Sequence, residues 1–77
     1  MWWYYIKKHE DKDKVMYSYG KETKIVSGEL LYDKRYGKYS VIKAAENDTE
    51  KGAKWALSHL VDVVKEGLPN ERMVAIG

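Results

Sequence analysis

The chain has no cysteine, no phenylalanine and a single proline among its 77 residues. Without cysteine there is neither a disulfide nor a thiolate metal cage, and such usage suits a reducing compartment. The longest apolar run is the opening MWWYYI, which Lys7 and Lys8 end after six residues. A membrane span needs roughly twenty apolar residues. A secretory leader needs a longer apolar core and a small-residue cleavage site. Neither pattern is found, so a cytoplasmic protein without membrane contact is expected. Nothing in the chain suggests a linker, repeat or low-complexity stretch, and residues 1–77 read as one domain.

Charge of a single sign is lacking too. Fourteen basic residues face twelve acidic ones, a net of +2, too even for a protein built to bind phosphate backbones. The signs alternate closely in KKHEDKDK, residues 7–14, which reads as a solvated turn. The six glycines are scattered and make no phosphate-cradling loop.

Groups for catalysis are equally sparse. The serines occur singly, outside any nucleophile elbow. His9 and His59 lie fifty positions apart. No carboxylate has an apolar sequence setting that would raise its pKa. His9, Glu10, Asp11 and Asp13 are close in sequence but follow no zinc or calcium spacing. The expectation is a non-enzymatic protein with no catalytic residue, no metal and no cofactor.

Aromatic rings are what the chain has in plenty: seven Tyr and three Trp. With no Phe, every such side chain has an apolar body and a polar tip, the chemistry of half-wet surfaces and interfaces. WWYYI has the length and residue types of a β-strand. Its period of two places Trp2, Tyr4 and Ile6 on one face, Trp3 and Tyr5 on the other.

Further strands are predicted at about Val15–Tyr19, Lys24–Tyr32, Lys38–Ala44 and residues 73–76. Gly20 serves a turn open to positive φ, and Gly28 marks a bulge or a close approach. Asp33 starts a hairpin loop that Gly37 closes in the left-handed conformation. The safest prediction is one helix from an Asn47 or Asp48 cap to Gly67. Ala53, Ala56, Leu57, Leu60, Val61, Val63 and Val64 form its apolar stripe. The order β-β-β-β-α-β implies an α+β fold: a mainly antiparallel four- or five-stranded sheet with one long helix on one face.

One helix covers one sheet face, yet the strands carry apolar groups on both. A non-enzymatic contact module is therefore expected, acting through protein–protein contact and pairing with a second copy as a homodimer. The candidate contact residues are Trp3, Tyr5, Tyr32, Arg35, Tyr36, Tyr39, Trp55 and His59. Trp55 projects among the polar residues of the helix wheel, with His59 one turn along. It packs against a terminal segment or meets a partner. The alternative is single-stranded nucleic-acid binding, because Tyr32, Lys34, Arg35, Tyr36, Lys38 and Tyr39 interleave rings and cations on one hairpin.

Overall fold

Alternation in the opening segment persists beyond its aromatics. In the computed structural model, which describes Met1–Gly77, the first strand β1 spans Trp2–Glu10. Its charged half pairs with β2 (Lys14–Lys21) as firmly as its apolar half, Lys7 facing Tyr17 and Glu10 facing Val15. The register shifts between Lys7 and His9, leaving Lys8 as a bulge residue. Strand β1 thus runs four residues past the end of its apolar run at Ile6, because ladder pairing and cross-strand ion pairs replace burial at its far end.

The remaining elements are β3 (Gly28–Asp33), β4 (Lys38–Lys43), α1 (Glu50–Lys65) and β5 (Glu71–Ala75). The five strands form one antiparallel sheet in the order β4-β3-β2-β1-β5. This is the expected α+β fold. Both termini lie on the β1–β5 side, where the Met1 amine donates to the Ile76 carbonyl at 3.0 Å.

Three local expectations need correction. Residues 22–27 are a loop rather than the start of β3, and the left-handed residue there is Glu22, φ 56°, not Gly20. Gly20 is needed for space instead: an added Cβ would lie 2.5 Å from the Thr23 and Ile25 carbonyl oxygens. The helix cap is Thr49, whose hydroxyl accepts from Gly52 N at 3.0 Å, not Asn47 or Asp48. Asn47 instead donates to the Lys21 carbonyl at 3.0 Å, and Asp48 turns inward.

Two glycines behave as read. Gly37 and Gly67 take φ of 65° and 99°, closing the β3–β4 hairpin and ending α1. At Gly28 the close approach is a ring: a Cβ would stand 2.1 Å from Tyr19 Cε1 and 2.8 Å from Ala45 N. Only glycine leaves room for the tyrosine.

Helix α1 has 16 residues, about 24 Å at ~1.5 Å each. It buries Ala53, Ala56, Leu60 and Val63 on the sheet, with Leu57 and Val64 at the margins. Against them stand Trp3 and Tyr5 of β1, Val15, Tyr17 and Tyr19 of β2, and Leu30 of β3, all buried. Leu60 and Leu30 are the large aliphatic residues here, so rings supply most of the core volume. No helix is long and apolar enough to cross a membrane.

Candidate functional site

The helix decides which face of each strand is free. It lies over Trp3 and Tyr5, so the opposite face carries Trp2, Tyr4 and Ile6. The alternation in WWYYI was read correctly, and the face was assigned the wrong way round. Trp3 and Tyr5, expected among the contact residues, are 1% and 0% exposed and present nothing to a partner. The reason is size: beneath a helix whose buried stripe includes Ala53 and Ala56, the sheet must supply bulk.

The polar tips of the buried tyrosines have partners inside the fold. Tyr5 donates to the Ala56 carbonyl of α1 at 2.7 Å, and Tyr17 to the Pro69 carbonyl at 2.5 Å. Tyr19 donates to Asp48 Oδ2 at 2.8 Å and accepts from Ala45 N at 3.0 Å. These three hydroxyls tie β1 and β2 to the helix and to the loops at its two ends. Burial pushes the Tyr17 and Tyr19 phenols up to about 12, and Tyr5 higher still.

The uncovered face is a band across the sheet. Tyr4 faces Met73 of β5 on one side and Gly20 of β2 on the other; Ile6 faces Ser18; Met16 faces Leu31, which faces Ser40. Trp2, Tyr4, Ile6, Met16 and Leu31 are half-buried by one another, while Ile42 and Met73 are 51% and 41% exposed. Its charges are largely satisfied. Lys8 pairs with Glu29 across β2, Tyr4 donates to Glu71, and Lys24 lies 5.7 Å over the Tyr4 ring. Sequence reasoning missed this band although Trp2-Tyr4-Ile6 was visible in it; what was missing was the side on which the helix lands.

The Tyr32–Tyr39 hairpin does not form one platform. Tyr32 and Tyr39 face each other on the helix side with ring centroids 4.6 Å apart, half-buried against the core. Lys34 is drawn back to Glu10 Oε2 at 2.7 Å and to the Asp11 carbonyl at 2.8 Å. Arg35 and Tyr36 remain exposed at the tip, with the guanidinium 5.6 Å from the ring centre.

Trp55 and His59 meet Trp3. The His59 ring stacks on it at 4.7 Å, and Trp55 leans against it at 5.7 Å, tilted by 60°. Trp55 thus packs on the N-terminal strand with one side and leaves 48% of its surface free. Trp3 Nε1 is shut from solvent and has no hydrogen-bond acceptor.

In the β1–β2 turn the Glu10 and Asp11 carboxylates each have local partners. Glu10 holds Lys34 and Lys7, which keep its carboxyl down at about 2. Asp11 meets His9 Nε2 at 3.0 Å and accepts from Asp13 N and Lys14 N, and its carboxyl also lies at about 2. No three His, Asp or Glu side chains gather as metal ligands would.

Comparisons with protein-family models, with curated proteins and with solved structures match nothing to this chain.

Proposed function

We propose that the protein is a non-catalytic contact module that pairs with a second copy of itself through the uncovered sheet face. The observation that carries this reading is the band of Trp2, Tyr4, Ile6, Met16, Leu31, Ile42 and Met73, which no element of the chain covers. Extended apolar patches are uncommon on a monomer, and those that exist often mark an interface. The pairing of Lys8 with Glu29 and of Tyr4 with Glu71 also favours a self-match. A face free of one-signed charge does not repel its own copy across a two-fold axis.

The cavities are open grooves, and the strongest carboxylate shifts belong to exposed ion pairs in a turn. That arrangement supports contact over catalysis. For nucleic acid, the hairpin supplies only Arg35, Tyr36 and Lys38 as free groups, which favours a protein partner.

Sedimentation of the chain, 9.0 kDa as one copy, tests the reading. A dimer is expected at micromolar concentration, and Met73→Asp, at an exposed position far from the core, should return it to monomer. A parent that stays monomeric at high concentration overturns the self-pairing.

A further inference from the structure

The two edges of the sheet are finished differently, and the register shows how. Lys7 N donates to the Asn70 carbonyl and Ile76 N to the Met1 carbonyl, each at 2.8 Å. These bonds flank the pairs Ile6–Glu71 and Trp2–Ala75, which makes both pairs the kind without mutual hydrogen bonds. Tyr4–Met73, midway between them, is the same kind, so the Met73 N–H and C=O point outward from β5. The outward carbonyl is not free. Arg72 Nη1 donates to it, and Glu66 fixes the guanidinium through Nε at 2.9 and 3.1 Å. The β5 edge is blunted by an arginine held in place.

At the opposite edge, Lys34 N donates to the Asp13 carbonyl at 2.8 Å, so Lys14–Asp33 is a pair without mutual bonds. Counting in twos, Asp33 and Leu31 exchange their bonds with Lys38 and Ser40 of β4. Tyr39 and Val41 are left with N–H and C=O directed away from the sheet, and no side chain or loop of the protein bonds them.

Beside this bare edge runs a groove of about 650 Å3 between β4 and α1, floored by Tyr39, Val41, Ala44 and Leu57. Lys43, Lys54 and Glu50 stand at its rim. Lys38, Lys43 and Lys54 hold no ion pair, nor does Arg35 at the hairpin tip; each of the seven ion pairs in the protein involves other cations.

We infer that β4 accepts an extended acidic peptide segment as a sixth strand. The outward groups of Tyr39 and Val41 supply the ladder, and alternate apolar side chains of the segment drop into the groove onto Leu57. Its acidic side chains, alternating with these, lie toward the opposite sheet face and meet Lys38 and Lys43. Edge lysines discourage indiscriminate strand pairing; the same charge selects an acidic strand. A second copy is the poorer occupant, because its own β4 would bring Lys38 and Lys43 to the same ladder. The inference rests on the contact reading above but uses a different surface.

The test is fluorescence anisotropy with a labelled octapeptide of alternating Glu and Val. Saturable binding is expected in the micromolar range. N-methylation of the alternate amides that face β4 should weaken it by about tenfold or more, since each methyl group removes a ladder hydrogen bond. Neutralising the edge with Lys38→Gln and Lys43→Gln should weaken it several-fold, and an octapeptide of alternating Lys and Val should not bind. Met73→Asp, which breaks the proposed self-pairing on the other face, should leave peptide affinity unchanged. Absence of binding at about 1 mM overturns the inference, as does equal affinity for the N-methylated peptide. Loss of peptide binding in folded Met73→Asp would place the segment on the sheet face and overturn it as well. Tighter binding of a labelled oligothymidylate than of the peptide would assign the edge to nucleic acid instead.

Discussion

The two faces of β1 put the same residue types to opposite uses. Toward the helix, Trp3 and Tyr5 are buried, and the Tyr5 hydroxyl is fixed on the Ala56 carbonyl. Toward the open side, Trp2 and Tyr4 keep part of their surface wet, and the Tyr4 hydroxyl rests on the exposed Glu71. A ring with a polar tip therefore says little by itself about where it sits. In this protein the tip is what allows a tyrosine to be core: it fills volume and also satisfies the carbonyls where the helix and the loop after it meet the sheet. The absence of phenylalanine acquires a structural meaning, because a Phe core would leave the Pro69 carbonyl without its donor and take from the Ala56 carbonyl its second one.

The largest expected effect comes from removing the strand that carries both faces. Deleting residues 1–5 takes Trp3 and Tyr5 from the core and removes the partners of β5, which pairs with Trp2 through Ile6. A core aromatic truncated to Ala costs about 3–5 kcal/mol, and a small domain holds about 5–15 in total. The deleted chain is expected to lack a cooperative melt by circular dichroism. A transition close to that of the parent would mean that the β1 rings do not hold the helix.

Single residues sharpen the contrast. Leu60→Ala, under the helix and fully buried, should cost about 2–5 kcal/mol. Ile42→Ala, on the open side and half exposed, should change stability by about 0.5 kcal/mol or less while weakening self-association. Denaturant midpoints and sedimentation, measured on both variants, separate the two roles. Equal destabilisation would show that the open face is as much a core as the covered one.

The order of elements was legible in the sequence because each has its own periodicity, and α1 was legible to within a residue or two at its start because its stripe of Ala53, Ala56, Leu60 and Val63 repeats at helical spacing. The two-residue alternation of WWYYI was equally plain. What it does not encode is sign: Trp2-Tyr4-Ile6 and Trp3-Tyr5 are both apolar enough to face a core, and the choice is made by the small residues of a helix fifty positions later. The same holds for the hairpin. Ring and cation interleave from Tyr32 to Tyr39 in the chain, but alternation sends both tyrosines under the sheet and a lysine back to Glu10. Likewise the charged half of β1 could not be seen as strand, since its pairing with β2 is long-range and leaves no local hydrophobic mark.

The hydroxyls themselves can be removed one at a time. Tyr5→Phe and Tyr19→Phe each remove a buried donor, the first from the Ala56 carbonyl, which keeps its helical bond, the second from Asp48 Oδ2. Each should cost about 1–3 kcal/mol, whereas Tyr4→Phe, whose hydroxyl bonds an exposed carboxylate, should leave stability close to that of the parent. The alkaline limb follows from the same contrast. A phenol held above its ordinary value in the folded state contributes stability that is intact below about pH 10 and is lost as pH rises toward 12. Tyrosinate absorbance should therefore show Tyr5, Tyr17 and Tyr19 ionising only together with unfolding. A smooth titration of all seven tyrosines with the fold intact would contradict their burial.

The smallest effect belongs to the β1–β2 turn, which lies beyond both faces and contributes no burial. Glu10 and Asp11 each have a carboxyl lowered to about 2, Glu10 by hydrogen bonds from Lys34 and Lys7, Asp11 by His9 and two backbone N–H groups. The unfolded chain holds them near the ordinary carboxylate values, about 4. A lowered folded-state value means that the contribution is complete above about pH 4–5 and is lost as pH falls toward 2, because the unfolded chain takes up the protons first. Both side chains are solvent-exposed, so the loss should be a shallow decline in melting temperature rather than acid unfolding. Glu10→Gln should flatten part of that decline and leave neutral-pH stability close to that of the parent. A decline just as steep in Glu10→Gln would show that the Glu10–Lys34 contact adds nothing to the fold, and that the charged end of β1 is held by its ladder with β2 alone.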